Sequence, residues 1–305
     1  MRKVKRCALF REKYNSGMNI PIKKLKNGFS LPEFGLGTWQ MGGREEADSK
    51  NDEKDIAGIR AAIEAGITHI DTAESYAEGH AEELVGEAIQ GMNRKKLFIT
   101  SKVSGWNQEH EKVLQSCKTS LKHLQTDYLD LYLLHQFPPD YPLQHAVRAL
   151  DKLMDDGLVK HIGVSNFGVE HLKEAQSYTK HRIVCNQVHY NLQVREIEQK
   201  GLLKYCQKND VLLVAYRPVG KGKLLEDVPK IIEELCVKYQ KTPAQIAINW
   251  LISQKDVVTL AKTSDPAHLK ENLGAIGWYL TEGDVELLRK EYPDQMFVSD
   301  VTPLG

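Results

Sequence analysis

The chain has 305 residues, with 41 basic and 41 acidic side chains and a pI near 7.2, so no global field would attract a polyanion. This balance favours a small-molecule partner over nucleic acid. No apolar run reaches the ~18 residues of a membrane span, and the five scattered cysteines have neither zinc-site spacing nor the density of a disulfide scaffold, which predicts a cytoplasmic protein without a metal site.

The chain begins with a basic stretch, residues 1–17, in which Glu12 is the single acidic residue. Because disorder concentrates at chain termini, we expect a flexible extension here rather than a targeting arm, followed by one domain over residues 18–305. Asn27-Gly28 then predicts a β-hairpin over residues 24–31, since this pair supplies the two positive φ angles of a tight primed turn.

Eight short runs follow that are too apolar to be half-exposed strands, and segments of helical periodicity separate them. The predicted strands are Phe34 to Thr38, Ile67 to Thr72, Leu97 to Lys102, Leu129 to His135, His161 to Asn166, Ile183 to Gln187, Val211 to Tyr216 and Val257 to Lys262. The predicted helices are Asp52 to Ala65, Ala81 to Gln90, Glu109 to Leu124, Leu143 to Asp156, Val169 to Ser177, Arg195 to Gln207 and Pro243 to Ser253.

Apolar strands that alternate with amphipathic helices indicate parallel strands covered by helices. Eight such units favour the α/β class, as a closed eight-stranded parallel (β/α)8 TIM barrel preceded by the N-terminal β-hairpin. A doubly wound open sheet is the alternative. It would need a Gly-x-Gly-x-x-Gly turn after an early strand to bind a dinucleotide, and the sequence has none there.

Polar residues occur where each predicted strand stops. They are Gly37-Thr38, Asp71, Lys102, His135, Ser165-Asn166, Gln187, Tyr216-Arg217 and Lys262-Thr263. In a parallel barrel these ends converge on one rim, which is where such enzymes carry their chemistry. The sequence therefore predicts an active site at this rim.

Four side chains at this rim suit proton delivery to a carbonyl oxygen. A lysine at a partly desolvated strand end needs an opposite charge, which Asp71 can provide for Lys102. Lys102 can then stabilise the phenolate of Tyr76 and lower its pKa from about 10. His135 can offer a ring N–H to the same oxygen. We predict that these four residues are catalytic.

The ordered set resembles the aldo-keto reductase superfamily, in its microbial-type members, from about Ile22 to the end of the chain. The motif Asp-Thr-Ala-x-x-Tyr stands at residues 71–76, with Lys102 and His135 after the next two strands. Further family-like stretches lie at residues 35–39, 163–167, 186–188, 215–218 and 262–264, followed by Glu271-Asn272.

The resemblance implies an NAD(P)H-dependent reductase of aldehydes and ketones, in which the nicotinamide delivers hydride and Tyr76 delivers the proton. It places Ser165, Asn166 and Gln187 on the nicotinamide carboxamide, Tyr216 under the ring, and Thr38 nearby. The partner would be a small-molecule carbonyl substrate, bound by a monomer or weak oligomer.

The loops after strands seven and eight carry the features of a phosphate site. Arg217, Lys221 and Lys223 have no acidic residue among them, and Asp265-Pro266 is typical of a helix N-cap and first turn. Glycines here would let backbone amides approach an anion. The candidates for cofactor binding in this region are Arg217, Gly220, Lys221, Gly222, Lys262, Thr263, Ser264, His268, Glu271 and Asn272.

The family resemblance also bears on the choice between NADPH and NADH. Members commonly hold the 2′-phosphate with the equivalent of Lys262 and an arginine six residues later, where this chain has His268. A neutral imidazole lacks the permanent charge and planar fork of a guanidinium. We expect a weakened preference for NADPH, with NADH use possible.

Trp39, Trp106 and Phe137 are candidates for the apolar wall of the substrate pocket. Many family members have tryptophan where this chain has Ser104 and Gln136, which predicts a wider or more polar pocket, suited to small hydroxylated or dicarbonyl substrates as well as bulky ones. The short C-terminal tail offers only Phe297 as a large apolar cover.

Two other functions remain open from the sequence. Some barrels of this family act as cofactor-binding sensors or accessory subunits with little turnover, although the four catalytic residue types argue against that here. A Schiff-base aldolase using Lys102 is the second alternative, and it requires a neutral lysine.

Overall fold

Eight parallel strands close into a barrel in the computed structural model, which describes residues 17–137 and 142–304. The strands are β3 (Phe34–Gly37), β4 (His69–Asp71), β5 (Phe98–Val103), β6 (Leu131–Leu134), β7 (Ile162–Ser165), β8 (Ile183–His189), β9 (Leu212–Tyr216) and β10 (Val257–Ala261). They pair in chain order, and β10 pairs with β3 to complete the ring. The predicted (β/α)8 barrel is confirmed, and the doubly wound alternative is wrong. The predicted N-terminal extension, apart from Gly17, lies outside the described residues.

A two-stranded antiparallel hairpin, β1 (Ile22–Lys24) and β2 (Ser30–Pro32), precedes the barrel and closes its floor. Leu25, Phe29 and Leu31 pack against inward-facing aliphatic side chains of the barrel strands. The hairpin is confirmed, but its predicted primed turn is wrong. Gly28 has φ +93° whereas Asn27 is not among the residues with positive φ, as expected for a type I turn followed by a left-handed glycine.

Helices alternate with the strands around the outside of the barrel. Those in the described ranges are α1 (Asp52–Glu64), α2 (His80–Ala88), α3 (His110–His123), α4 (Leu143–Asp155), α5 (Val169–Tyr178), α6 (Glu196–Gln199), α7 (Leu202–Asn209), α8 (Lys230–Tyr239), α9 (Pro243–Ile252), α10 (Pro266–Leu273) and α11 (Glu282–Glu291). None of these helices is long and apolar enough to cross a bilayer.

Three helical segments differ from the sequence-based prediction. The helix expected over Arg195 to Gln207 is two helices, because Gly201 adopts φ +72° and ends the first one. Helices α8 and α11 were not predicted. The N-cap predicted at Asp265 is confirmed, since its carboxylate accepts the amides of Ala267 at 2.7 Å and His268 at 3.2 Å.

Tight packing inside the barrel fixes the positions of the side chains near the strand ends. A Cβ at Gly163 would lie 2.6 Å from Leu133 Cδ2 and 2.7 Å from Cys185 Sγ, so only glycine fits where β6, β7 and β8 meet. Lys102 pairs with Leu133 in the β5–β6 register, one residue pair below the rim. This packing holds the lysine at a fixed depth beneath the barrel mouth.

Candidate active site

A buried ion pair lies at the centre of the rim. Lys102 is 0 % exposed and Asp71 is 1 % exposed. Lys102 Nζ lies 2.6 Å from Asp71 Oδ1 and donates to the Thr72 carbonyl oxygen at 2.7 Å. Gln187 Nε2 donates to the other carboxylate oxygen at 2.8 Å. Both buried charges thus have partners, which is the condition for retaining them in a dry site.

An unusual turn brings Tyr76 back over this pair. Ala77, Glu78 and Gly79 have φ of +49°, +56° and +92°, so three successive left-handed residues reverse the chain immediately after Tyr76. Tyr76 OH lies 3.4 Å from Lys102 Nζ, at the outer edge of hydrogen-bonding range. Such contacts are commonly long before a substrate is bound. The phenol and the ammonium therefore meet as the sequence predicted.

Burial and charge act on these groups in opposite directions. Burial alone would lower the pKa of Lys102, but Asp71 and Tyr76 outweigh it and raise this pKa above its usual value. Burial raises the pKa of Tyr76, and the Lys102 charge opposes that shift without cancelling it. The expected stabilising effect of Lys102 on the phenolate has the predicted sign, but the predicted net lowering is wrong because desolvation is the larger effect.

His135 completes the group. Its ring and that of Tyr76 have centroids 5.6 Å apart at 70°, and its Nδ1 lies 3.3 Å from Ser75 Oγ. Burial, assisted by the positive charge of Lys102, lowers the pKa of His135 to about 3. The imidazole is therefore neutral near pH 7 and can donate only one ring hydrogen.

The residues predicted to face the nicotinamide form one hydrogen-bonded cluster beside His135. Asn166 Nδ2 donates to Ser165 Oγ at 3.0 Å and to the His135 carbonyl oxygen at 3.3 Å, and Tyr216 OH donates to Asn166 Oδ1 at 2.9 Å. Asn166 has φ +62°, a conformation that aims its amide back across the rim. Thr38 donates its backbone N–H and its hydroxyl to the Asp71 carbonyl oxygen.

These side chains border one cavity of about 1170 Å³ that opens at the barrel mouth. It extends from Tyr76 and His135 past Tyr216 to Lys262 and His268. The predicted site residues that line it are Thr38, Trp39, Asp71, Tyr76, Trp106, His135, Ser165, Asn166, Gln187, Tyr216, Arg217, Lys221, Gly222, Lys262, His268, Glu271 and Asn272. Lys102 lies behind its wall. A cleft of this size and mixed lining fits an extended dinucleotide together with a small substrate.

The loop after β9 supplies the positive end of the cavity. The Arg217 guanidinium and the Lys221 ammonium both lie over the Trp39 ring, 5.1 Å and 4.3 Å from its centroid. Gly220, Lys221 and Gly222 all have positive φ. The amides of both glycines donate to carbonyl oxygens within the turn, so the side chains of Arg217 and Lys221, rather than these amides, are placed to meet an anion.

Two of the predicted cofactor-binding residues after β10 form hydrogen bonds with other parts of the protein. Ser264 Oγ donates to Asp55 Oδ1 at 2.5 Å, and Thr263 Oγ1 donates to the Asp265 carbonyl oxygen at 3.1 Å. Neither residue is among the described residues lining the cavity, and Gly220 is not either. Lys262 and His268 are exposed at its edge, where a phosphate could reach them.

The structure places two of the three predicted wall residues at the cavity. Trp39 and Trp106 line the cavity, and Trp106 is 62 % exposed. Phe137 instead stacks on His171, with centroids 3.7 Å apart, and packs edge-on against Phe167. Phe137 is not among the described residues that line the cavity, because its ring packs against α5 instead. Its prediction as a wall residue is not supported.

Several lining residues were missed from the sequence. Glu74 Oε1 accepts the amide of Ser104 at 2.6 Å and Asn107 Nδ2 at 3.1 Å, which connects the turn that carries Tyr76 to the segment that carries Trp106. Ser104, which was expected at the pocket from the sequence, borders the cavity, and its hydroxyl has no partner within the described ranges. Near the C-terminus Val301 and Thr302 line the cavity in place of the expected Phe297. Arg44 lines it as well.

Relatives of known family show the same architecture. The chain matches the Aldo/keto reductase family over residues 33–292. It is 38% identical to methylglyoxal reductase YeaE of Escherichia coli (strain K12) over 268 residues, which is 87% of this chain and 92% of that protein. The crystal structure of the thermostable aldo-keto reductase Tm1743 with the inhibitor epalrestat has a TM-score of 0.86 at 42% identity, over 89% of this chain and 99% of the other. An aldo-keto reductase from Klebsiella pneumoniae in complex with NADPH has a TM-score of 0.80 at 34% identity, over 94% and 99%. The chain therefore belongs to the aldo/keto reductase family.

Proposed function

We propose that this chain reduces small neutral aldehydes and ketones to alcohols, 2-oxoaldehydes among them, with NADPH as the hydride source and Tyr76 as the proton donor. One observation carries the proposal: at the barrel rim a buried ammonium lies between a carboxylate and a phenol that border the cavity, with a neutral imidazole beside the phenol. The carbonyl reaction class agrees with the family, whose members are oxidoreductases.

The four residues have distinct parts in the reduction. The raised pKa of Tyr76 keeps the phenol protonated near neutral pH, as a proton donor requires. As the proton leaves, the Lys102 ammonium stabilises the phenolate, and Asp71 holds that ammonium in place and charged. We infer that the Ser75 hydroxyl donates to His135 Nδ1, which leaves the Nε2 hydrogen for the carbonyl oxygen.

The cavity suits a bound nicotinamide dinucleotide, which supplies the hydride when it is present. Ser165, Asn166 and Gln187 would hold the carboxamide, and the Tyr216 ring would stack under the nicotinamide. Arg217 and Lys221 would meet the pyrophosphate, while Lys262, with His268, Glu271 and Asn272 nearby, would hold the adenosine end. The complex of the Klebsiella pneumoniae relative with NADPH supports the choice of cofactor.

The substrate class rests on the polar part of the cavity wall. Ser104 and Gln136 border the cavity close to the turn that carries Tyr76, and Glu74 accepts the backbone amide of Ser104. The Ser104 hydroxyl and the Gln136 amide there can each donate a hydrogen bond to a second oxygen next to the carbonyl. The name of the YeaE relative, a methylglyoxal reductase, agrees with a small dicarbonyl.

The alternatives lose support from the same geometry. A Schiff-base aldolase needs a neutral lysine, but Asp71 and Tyr76 outweigh burial and raise the pKa of Lys102, so its ammonium cannot attack a carbonyl. A sensor with little turnover would have no need of the assembled proton-delivery group.

A carbonyl panel tests the proposal. Purified protein with NADPH is offered methylglyoxal, glyoxal, a hydroxyaldehyde and an aromatic aldehyde, and NADPH absorbance is followed. Methylglyoxal and glyoxal should give the highest kcat/KM. Tight NADPH binding with no consumption on any of these compounds would support the sensor and contradict the proposal.

A further inference from the structure

The C-terminal residues 299–304, here called the strap, form part of the cavity wall through Val301 and Thr302. Ser299 and Leu304 at its ends are 4 % and 8 % exposed, whereas Val301 between them is 42 % exposed. A loop buried at both ends and exposed in its middle takes its position from its anchors. The position of the cavity wall here therefore depends on what holds Ser299 and Leu304.

One buried carboxylate holds both ends of the strap. Glu196, at the start of α6, is 1 % exposed. Its Oε2 accepts the amide of Ser299 at 2.9 Å, and its Oε1 accepts the amide of Leu304 at 3.1 Å. Lys200 Nζ lies 2.8 Å from Oε1 and donates to the Leu304 carbonyl oxygen at 3.3 Å. Hydrogen bonds to a charged acceptor are the stronger kind, so Glu196 is the main anchor.

His189 connects the strap to Tyr216. Its ring is stacked on the Tyr216 ring, with centroids 5.3 Å apart and planes 12° apart, and covers one face of it. Its Nδ1 lies 2.9 Å from Ser299 Oγ. The same serine oxygen accepts the amides of Val301 and Thr302 at 3.2 Å each. One hydroxyl thus joins the lining residues of the strap to the ring beneath the proposed nicotinamide site.

The protonation of His189 fits this connection. Burial, helped by the charge of Arg217, lowers the pKa of His189 to about 4, so the ring is neutral. Asn191 Nδ2 lies 3.4 Å from Nε2 and also donates to the Arg217 carbonyl oxygen at 2.9 Å. In either tautomer of the neutral ring, Nδ1 and the Ser299 hydroxyl can share one hydrogen bond.

We propose that Glu196 and His189 are positioning residues that hold the C-terminal strap and the Tyr216 ring as one unit, so that the substrate wall and the nicotinamide-stacking ring move together. The identity of the ligand at Tyr216 rests on the proposed function. Neither residue is among the described residues that line the cavity. Both act through others, Glu196 through the strap backbone and His189 through Ser299 and Tyr216.

The coupling is tested on the full-length protein with three readouts. These are hydrogen exchange of the strap amides, the dissociation constant of NADPH by fluorescence titration, and KM and kcat for methylglyoxal. Glu196→Ala should speed exchange at Ser299 and Leu304, raise KM at least about tenfold with kcat within about threefold, and weaken NADPH binding about three- to fivefold. Glu170→Ala on α5, which removes an exposed carboxylate paired with Lys173, is the matched control and should change none of them.

A pair of milder variants isolates the His189 connection. His189→Phe keeps an aromatic ring against Tyr216 but loses the hydrogen bond, and Ser299→Ala removes the partner hydroxyl. Each should weaken NADPH binding, and the double variant should weaken it no more than the stronger single one. Additive effects on NADPH binding would overturn the connection.

The outcomes separate this inference from the proposed function. Faster strap exchange with unchanged NADPH affinity and unchanged KM would make Glu196 merely structural and overturn the coupling. If Glu196→Ala does not fold, Ser299→Ala gives the same decision with one hydroxyl removed. A wild-type protein that binds NADPH but reduces no carbonyl contradicts the proposed function, while exchange and NADPH binding still decide the coupling.

Discussion

The floor and the rim of the barrel interior are equally dry but are stabilised by opposite means. At the floor, Leu31 is 0 % exposed and packs against aliphatic side chains of the strands. At the rim, Lys102 is also 0 % exposed, yet it contacts Asp71, Thr72 and Tyr76 through polar atoms. An apolar floor needs only a good fit, whereas a buried charge needs each partner in place. Stability should therefore depend on both ends, and chemistry on the rim alone.

Replacement of Tyr76 at the rim should give the largest effect on activity with the least effect on stability. Tyr76→Phe removes the proton donor and keeps the ring, so we expect kcat for carbonyl reduction to fall by about 10²–10⁴-fold with little loss of stability. Absorbance of NADPH gives the rate, and fluorescence titration of NADPH should give a nearly unchanged dissociation constant. Equal activity of variant and parent would remove Tyr76 from its proposed role.

Lys102 should affect both stability and activity. Lys102→Met leaves Asp71 buried without its cation, which should lower the free energy of unfolding by about 3–5 kcal/mol and also lower kcat. The double variant with Asp71→Asn removes both charges and should recover much of the stability but not the activity. Denaturant unfolding and kinetics measure the two effects. Recovery of activity in the double variant would contradict the role of the pair.

A substitution at the floor should lower stability and leave activity unchanged. Leu31→Ala deletes buried methyl groups and should lower the free energy of unfolding by about 2–5 kcal/mol through lost burial and a cavity. At a temperature where the variant is folded, its kcat should match the parent, because the hairpin lies at the other end of the barrel. A drop in kcat in a folded Leu31→Ala protein would show that the two ends are coupled.

The same contrast explains which features the sequence could predict. Strand ends such as Asp71 and Lys102 were identified because apolar runs stop abruptly there, and the barrel topology brings those ends together. The turn type at Asn27-Gly28 and the helix break at Gly201 depend on local φ angles. These residue types allow such angles but do not require them, so the sequence alone could not predict them. The strap was missed because Val301 and Thr302 have no distinctive pattern and are held at the cavity by distant residues. Leu304 and its anchor Glu196, for example, lie 108 residues apart in the chain.

A substitution at His268 tests cofactor selectivity at the exposed outer edge of the rim, where water screens charges. His268→Arg adds a permanent charge at an exposed position and should tighten NADPH relative to NADH by about three- to tenfold. The ratio of the two dissociation constants measures it, and His268→Gln, which adds no charge, is the control. An unchanged ratio for the arginine variant would show that residue 268 does not face the adenosine phosphate.

The smallest expected effect is that of pH on the rate, and it distinguishes the rim from an ordinary histidine site. Burial and Lys102 lower the pKa of His135 to about 3, and burial raises the pKa of Tyr76, so neither group changes its proton between about pH 6 and about pH 9. The rate of carbonyl reduction at saturating NADPH should be flat over this range. A step near pH 6.5 that disappears in His135→Gln would contradict a neutral imidazole.

The free energy of unfolding should decrease in acid, even though the reaction rate is flat near neutral pH. His135 binds its proton more weakly in the folded chain than in the unfolded one, where its pKa is about 6.5, so the unfolded state takes up more protons as the pH falls below that value. The free energy of unfolding should therefore be fully present above about pH 6.5 and decline steadily below it, and His69, whose pKa burial lowers to about 4, adds to the decline. Because His69 is not among the described residues that line the cavity, His69→Gln should reduce the acid sensitivity of stability and leave the rate profile unchanged. A changed rate profile would mean that buried histidines away from the cavity also tune the chemistry.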